Sequence, residues 1–112
     1  DRIQALIGFA EEYRHPTEAE LPRRETCRVP GCESEVFVVP AESGVRIAVD
    51  NPQGVSAQAL AVILEDGLTG AKKADAADVS EEIVYEIFGR ELSMGKSMGL
   101  TQTVRMAKAA LP

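Results

Sequence analysis

Ser34-Glu35-Val36-Phe37-Val38-Val39-Pro40-Ala41-Glu42-Ser43-Gly44-Val45-Arg46-Ile47-Ala48-Val49 decides the fold. Ser34 to Val39 is dense in Val and Phe, residues that fit a pleated and buried surface, so it reads as a strand. Glu42-Ser43-Gly44 supplies a hairpin turn. The chain then returns through Val45, Ile47 and Val49, which alternate with Arg46 and Ala48 as in a half-buried antiparallel strand. Just upstream, Cys27 to Val29 is a short candidate strand and Pro30-Gly31 a turn, so the sheet is expected to hold two or three antiparallel strands.

Outward from this hairpin the period changes. Ile3, Leu6, Ile7 and Ala10 recur at i, i+3, i+4 and i+7, which gathers them on one face of a helix ending near His15-Pro16. Residues 16–26 carry two prolines and no periodicity, and read as a loop taking the chain across the sheet. Asn51-Pro52 predicts an N-cap with proline in the first helical position, followed by Val55 to Leu64, apolar on most sides and the most buried helix. Asp66-Gly67-Leu68-Thr69-Gly70 ends it, and Ala71 to Ala77 is helix-prone but weakly amphipathic. Asp78 with Glu81 has capping-box spacing, ahead of an apolar face of Ile83, Val84, Ile87 and Phe88 that stops at Gly89. A last helix is expected from about Ser97, with Leu100, Val104, Ala107 and Leu111 as its stripe. One helix, a small antiparallel sheet and three or four further helices describe an α+β two-layer domain.

The 112 residues fit a single domain. With 45% apolar and 27% charged residues, the composition is that of an ordinary globular chain. No apolar run approaches the roughly 20 residues of a bilayer-spanning helix, and the acidic, amphipathic opening is unlike a secretory signal. The formal charge of −6 argues against a surface that tracks phosphates, so no nucleic-acid partner is expected. Two cysteines are too few for a disulfide-stapled scaffold, which favours a reducing, cytoplasmic setting. The chain opens on Asp1 rather than methionine, and a trimmed targeting peptide would place it in an organelle instead.

Chemistry centres on Cys32, a thiol at a glycine-marked turn directly ahead of a strand. The bland reading is a small buried hydrophobe; the functional one is a nucleophile or carrier, which needs surroundings that favour thiolate. Arg28 would help, whereas Glu33 and Glu35 would raise the thiol's pKa. The sole histidine, His15, sits at a helix end and makes a poor partner for a cysteine-protease dyad. Two Cys and one His fall short of a four-ligand zinc site, and no cofactor is expected. Cys27 and Cys32 lack CxxC spacing but flank a turn, which leaves a thiol redox switch open. Lys72-Lys73 reads as a solvated face. Lys96, in the small-residue loop Ser93-Met94-Gly95-Lys96-Ser97-Met98-Gly99 that opens the last helix, would favour thiolate if it folded beside Cys32. Met94 and Met98 are core filling or adaptable exposed contacts.

Arg28-Val29-Pro30-Gly31-Cys32-Glu33-Ser34-Glu35-Val36-Phe37 resembles the RVxGCQSQVW signature of the SufE family, and Leu92-Ser93 through Gly99-Leu100 resembles its LSPSRxNGL segment. The order of elements between the two motifs agrees as well. The resemblance implies the SufE/NifU fold, with a three-stranded antiparallel sheet packed against helices. It also implies that Cys32 accepts sulfur from the persulfide of a PLP-dependent, SufS-like cysteine desulfurase, stimulates that enzyme and passes sulfur to an iron–sulfur scaffold protein. Arg28, Gly31, Ser34 and Lys96 form the expected surroundings of the thiolate and its partner. Glu33 and Glu35 stand where the family has glutamine, Phe37 where it has tryptophan, Lys96 where it has arginine, Met98 where asparagine is common, and Cys27 where asparagine is frequent. The alternatives are a non-catalytic regulatory or NifU-like binding module, and the Cys27/Cys32 redox switch.

Overall fold

The computed structural model describes residues 1–112. Helix α1 (Arg2–Glu12) leads into a long crossing segment, followed by strands β1 (Val36–Ala41) and β2 (Gly44–Val49) and helices α2 (Val55–Gly67), α3 (Ile83–Phe88) and α4 (Met94–Ala110). The α+β class expected from the hairpin holds. No helix is long and apolar enough to cross a membrane.

β1 and β2 pair antiparallel in the register Val36↔Val49, Phe37↔Ala48, Val38↔Ile47. Because side chains alternate along each strand, this register separates two apolar layers. Val36, Val38, Val45, Ile47 and Val49 join Leu60, Val84, Leu100 and Val104 in the main core beneath the helices. Phe37 and Ala48 face the other way and are covered by Leu21, with Cys27 packed against them. The crossing segment is therefore a lid over the second face of the sheet, as its lack of periodicity allowed.

The expected third strand is reduced to one bridge, Arg28↔Phe37, with the Val29 N–H donating to the Val36 carbonyl at 2.8 Å. The ladder cannot extend either way. Residues Glu25–Cys27 are wound into a 3-10 turn, and Pro30 has no N–H to donate. The opposite edge is closed by side chains. The Tyr13 hydroxyl donates to the Ile47 carbonyl at 3.0 Å and accepts from the Val49 N–H at 2.7 Å, while the Glu65 carboxylate accepts from the Ile47 N–H at 2.8 Å. Such partners remove the exposed edge that would otherwise recruit another strand.

Four sequence expectations are corrected. In α1, Ala10 is buried but Ile3 and Ile7 are 69% and 45% exposed; Tyr13 anchors the C-terminal end of the helix to β2, and the first turns lie beyond the edge of the core. Helix α2 begins at Val55 with Gly54 at its cap. Asn51 instead closes a turn, its Oδ1 accepting from the Gln53 N–H and its carbonyl from the Gly54 N–H. The Asp78/Glu81 capping box does not form, because Glu81 is drawn to Arg105 at 2.7 Å and α3 starts after Glu82. Helix α4 begins at Met94, one turn earlier than expected, because Ser93 caps it by accepting from the Lys96 N–H at 3.2 Å. The predicted stripe of α4 is correct: Leu100, Val104, Ala107 and Leu111 are all buried.

Candidate functional site

The turn before β1 places Cys32. Gly31 has a φ of 71°, the left-handed conformation that glycine adopts without strain. The chain thereby reverses and directs Cys32 inwards, where it is half-buried and packs against the main core. Its other wall is α4: the Cys32 side chain lies directly on the helix backbone at Gly99. The thiol faces a cavity of about 490 Å³ whose walls include Ser34, Asn51, Ser56, Lys96 and Leu100. The Asn51 amide donates to Ser34 Oγ at 2.9 Å and ties the turn after β2 to the thiol's own segment. Three exposed apolar side chains occur on the same elements: Val55 lines the cavity, and Met94 and Met98 project from the first turns of α4.

Burial is the main influence on the thiol and pushes its pKa up. A hydrogen bond from the Ser34 backbone N–H opposes this, and the negative charge of Glu33 adds to it. In this seat Cys32 is a protonated thiol at neutral pH. The other glutamate is neutralised elsewhere, since Glu35 pairs with Arg28 Nη1 at 3.2 Å. Exchanging Glu33→Gln should therefore raise the rate of Cys32 alkylation at pH 7 by roughly twofold, a fraction of a pKa unit in thiolate population. Glu35→Gln should leave that rate unchanged. Iodoacetamide kinetics on the two variants check this, and equal acceleration by both would show that the Arg28 pairing does not isolate Glu35.

The remaining sequence candidates divide. Gly31, Ser34 and Lys96 do gather at the Cys32 site, with Lys96 in the first turn of α4 instead of a loop. Arg28 does not. It pairs with Glu25 at 2.8 Å, stacks over Phe37 at 4.8 Å from the ring centre, and lines a separate cavity with His15 and Asp50. In that cavity His15 Nε2 lies 2.5 Å from Asp50 Oδ1 and is committed there, so it offers no base to Cys32. Cys27 and Cys32 are both free thiols, and they pack on different apolar clusters, Cys27 with Leu21 and Phe37 and Cys32 with the main core. The arrangement does not join them in a redox pair. No group of three His, Cys, Asp or Glu side chains converges in a way that would hold a metal ion.

Two contributors escaped sequence reasoning. Asn51 carried a turn signal but no hint that its amide would reach Ser34. Gly99 left a readable sign: glycine inside a helical stripe weakens the helix, and its retention there points to close packing.

The fold resembles a solved structure, the solution structure of a hypothetical protein from Thermus thermophilus, with a TM-score of 0.67 and 22% identity over 96% of this chain and 79% of that one. A search of curated proteins finds no significant match. The family model described as SufE, Fe-S metabolism associated domain, matches residues 1–111. With that match across nearly its whole length, the chain belongs to the SufE family of Fe-S metabolism associated domains.

Proposed function

We propose that this chain is a covalent sulfur carrier: Cys32 takes sulfane sulfur from the persulfide of a PLP-dependent, SufS-like cysteine desulfurase, stimulates that enzyme by clearing its persulfide, and delivers the sulfur to an iron–sulfur scaffold protein. The observation that carries the reading is the placement of Cys32, a free thiol on a glycine turn, half-sheltered against α4 and facing a cavity. Family membership ties that thiol to iron–sulfur metabolism.

The transfer balances without an added oxidant or reductant. Cys32 loses its proton to solvent or to the partner, and its thiolate attacks the terminal sulfur of the partner's persulfide. The new sulfur–sulfur bond forms on Cys32 as the partner's breaks, and the partner's cysteine leaves as a thiolate. Because burial keeps the resting thiol protonated, the attack requires the turn to swing Cys32 towards the partner. The same seat shields the product from bulk thiols, which would strip the sulfur by the identical exchange.

Incubation with a SufS-like desulfurase and sulfur-labelled cysteine tests the proposal. One extra sulfur atom should appear on the peptide containing Cys32 and disappear on reduction. Label on Cys27 instead, or a desulfurase that turns over while leaving the chain unlabelled, would sink it.

A further inference from the structure

Resting on the sulfur-carrier reading, we infer that Gly99 is the positioning residue that holds Cys32 in its sheltered seat and thereby sets how readily the thiol reacts. A β-carbon on Gly99 would lie 2.8 Å from the Cys32 Cα, 2.8 Å from its Sγ and 3.1 Å from its Cβ. Contacts that short are not tolerated by ordinary side chains. Two of them decide the outcome. Turning the Cys32 side chain to another rotamer could relieve the clash with Sγ but not the clash with Cα, so the backbone of the turn itself must move.

The other glycines near the site behave differently. A β-carbon on Gly95, one turn earlier on α4, would meet the Glu33 carboxylate group at 3.5 Å, an ordinary contact. One on Gly31 would meet the Met98 sulfur at 3.8 Å, so Gly31 is required by its φ of 71° and not by space. Only Gly99 is needed for the thiol to lie on the helix. Gly99 is also buried inside α4, where alanine would otherwise be the better helix former. The helix thus accepts a poor helix former where the cysteine rests.

With Gly99→Ala the segment from Pro30 to Glu33 has one direction open, outwards. It is held at either end by the Val29 N–H on the Val36 carbonyl and by Ser34 Oγ on Asn51. Displaced from α4, Cys32 regains water and more of it is thiolate at neutral pH, since burial is the main influence holding it protonated. The variant should still take up sulfur, and it should lose that sulfur faster to a small thiol.

The test uses the full chain in a Cys27→Ser background, so that alkylation reports a single thiol. Gly99→Ala should react with iodoacetamide roughly tenfold faster than its parent at pH 7, equivalent to about one pKa unit in thiolate fraction, and its pH–rate midpoint should move down. Gly95→Ala should stay within about twofold of the parent, as expected for a change that leaves the seat intact. A folded Gly99→Ala protein with the parent's rate and midpoint would overturn the inference, as would equal acceleration by Gly95→Ala. Should Gly99→Ala fail to fold, Cys32→Gly combined with Gly99→Ala must fold, with a Tm near that of Cys32→Gly alone; failure of this rescue would place the clash elsewhere and overturn the inference. The sulfur-carrier reading fails separately. If the wild type accepts no sulfur from the desulfurase while Gly99→Ala is alkylated faster as stated, the seat stands and the carrier falls.

Discussion

Cys32→Ser keeps the fold and reduces sulfur acceptance from a desulfurase to the background of the assay. The hydroxyl is a little smaller than the thiol and can accept the same Ser34 N–H. The residue is only half-buried, so the stability change should stay within about 1 kcal/mol. The chemical change is total. A serine hydroxyl has no base beside it here, because His15 is bound to Asp50 in the other cavity and Lys96 is a cation, not a proton acceptor, at neutral pH. Stimulation of the desulfurase should vanish with acceptance, while physical binding persists, since the surfaces around the cavity are unchanged. Labelled-cysteine transfer, desulfurase turnover and a binding measurement on the same variant separate the three effects. Full stimulation by Cys32→Ser would replace the carrier with the non-catalytic regulatory module. Cys27→Ser, altered on the opposite apolar cluster, should transfer sulfur like the wild type.

The hairpin and the last helix were legible because each depends on short-range pattern. Val36 to Val49 alternates with the period of two that a buried strand pair needs, and Leu100, Val104, Ala107 and Leu111 repeat at helical spacing; both sets are buried as read. What failed were features settled by competition between distant groups. Glu81 had the spacing of a capping box, but Arg105, 24 residues later, offers it an opposite charge. Arg28 adjoins the thiol's turn in sequence, yet two carboxylates and an aromatic ring hold it in another cavity. Ile3 and Ile7 share a face with Ala10, yet they end up exposed because the C-terminal anchor through Tyr13 fixes where α1 meets the core. The site was legible to the same degree. Its nucleophile and Lys96 came from motifs, whereas the Gly99 seat and the Asn51–Ser34 tie depend on packing that no local pattern encodes.

Arg23→Ala should be the most damaging substitution outside the apolar core, at about 3 kcal/mol, because removing one partner of a buried ion pair strands the other. The Arg23 side chain is only 9% exposed. Its Nε and Nη2 grip Asp50 at 2.9 and 2.8 Å, and the rest of the guanidinium donates to the carbonyls of Pro16, Thr17 and Leu21. One side chain therefore pins the crossing segment to the end of β2, and truncation leaves a carboxylate short of its main partner. Out of a typical total of roughly 5–15 kcal/mol, that loss is large. It corresponds to a Tm drop of about 10–20 °C for a domain of this size. The defect should depend on pH in one direction. Arg23, and secondarily His15, hold the Asp50 carboxyl below its ordinary value, so its contribution is fully present above the unfolded pKa near ~4 and is lost as pH falls through the folded one. The gap between wild type and Arg23→Ala should thus be widest near neutrality and narrow in acid, where Asp50 is protonated in both proteins. Arg23→Lys should recover part of it, keeping the charge but not the two-point grip. Denaturant unfolding at pH 7 and at about pH 3.5, below the ordinary carboxylate value, reads both claims: a gap under ~1 kcal/mol at pH 7 would demote the pair to a surface contact, and a gap independent of pH would assign the loss to the carbonyl contacts alone. Asp50 adjoins Asn51, whose amide holds Ser34 beside the thiol. Loosening this anchor should therefore speed Cys32 alkylation as well, linking the stability of the crossing segment to the exposure of the nucleophile.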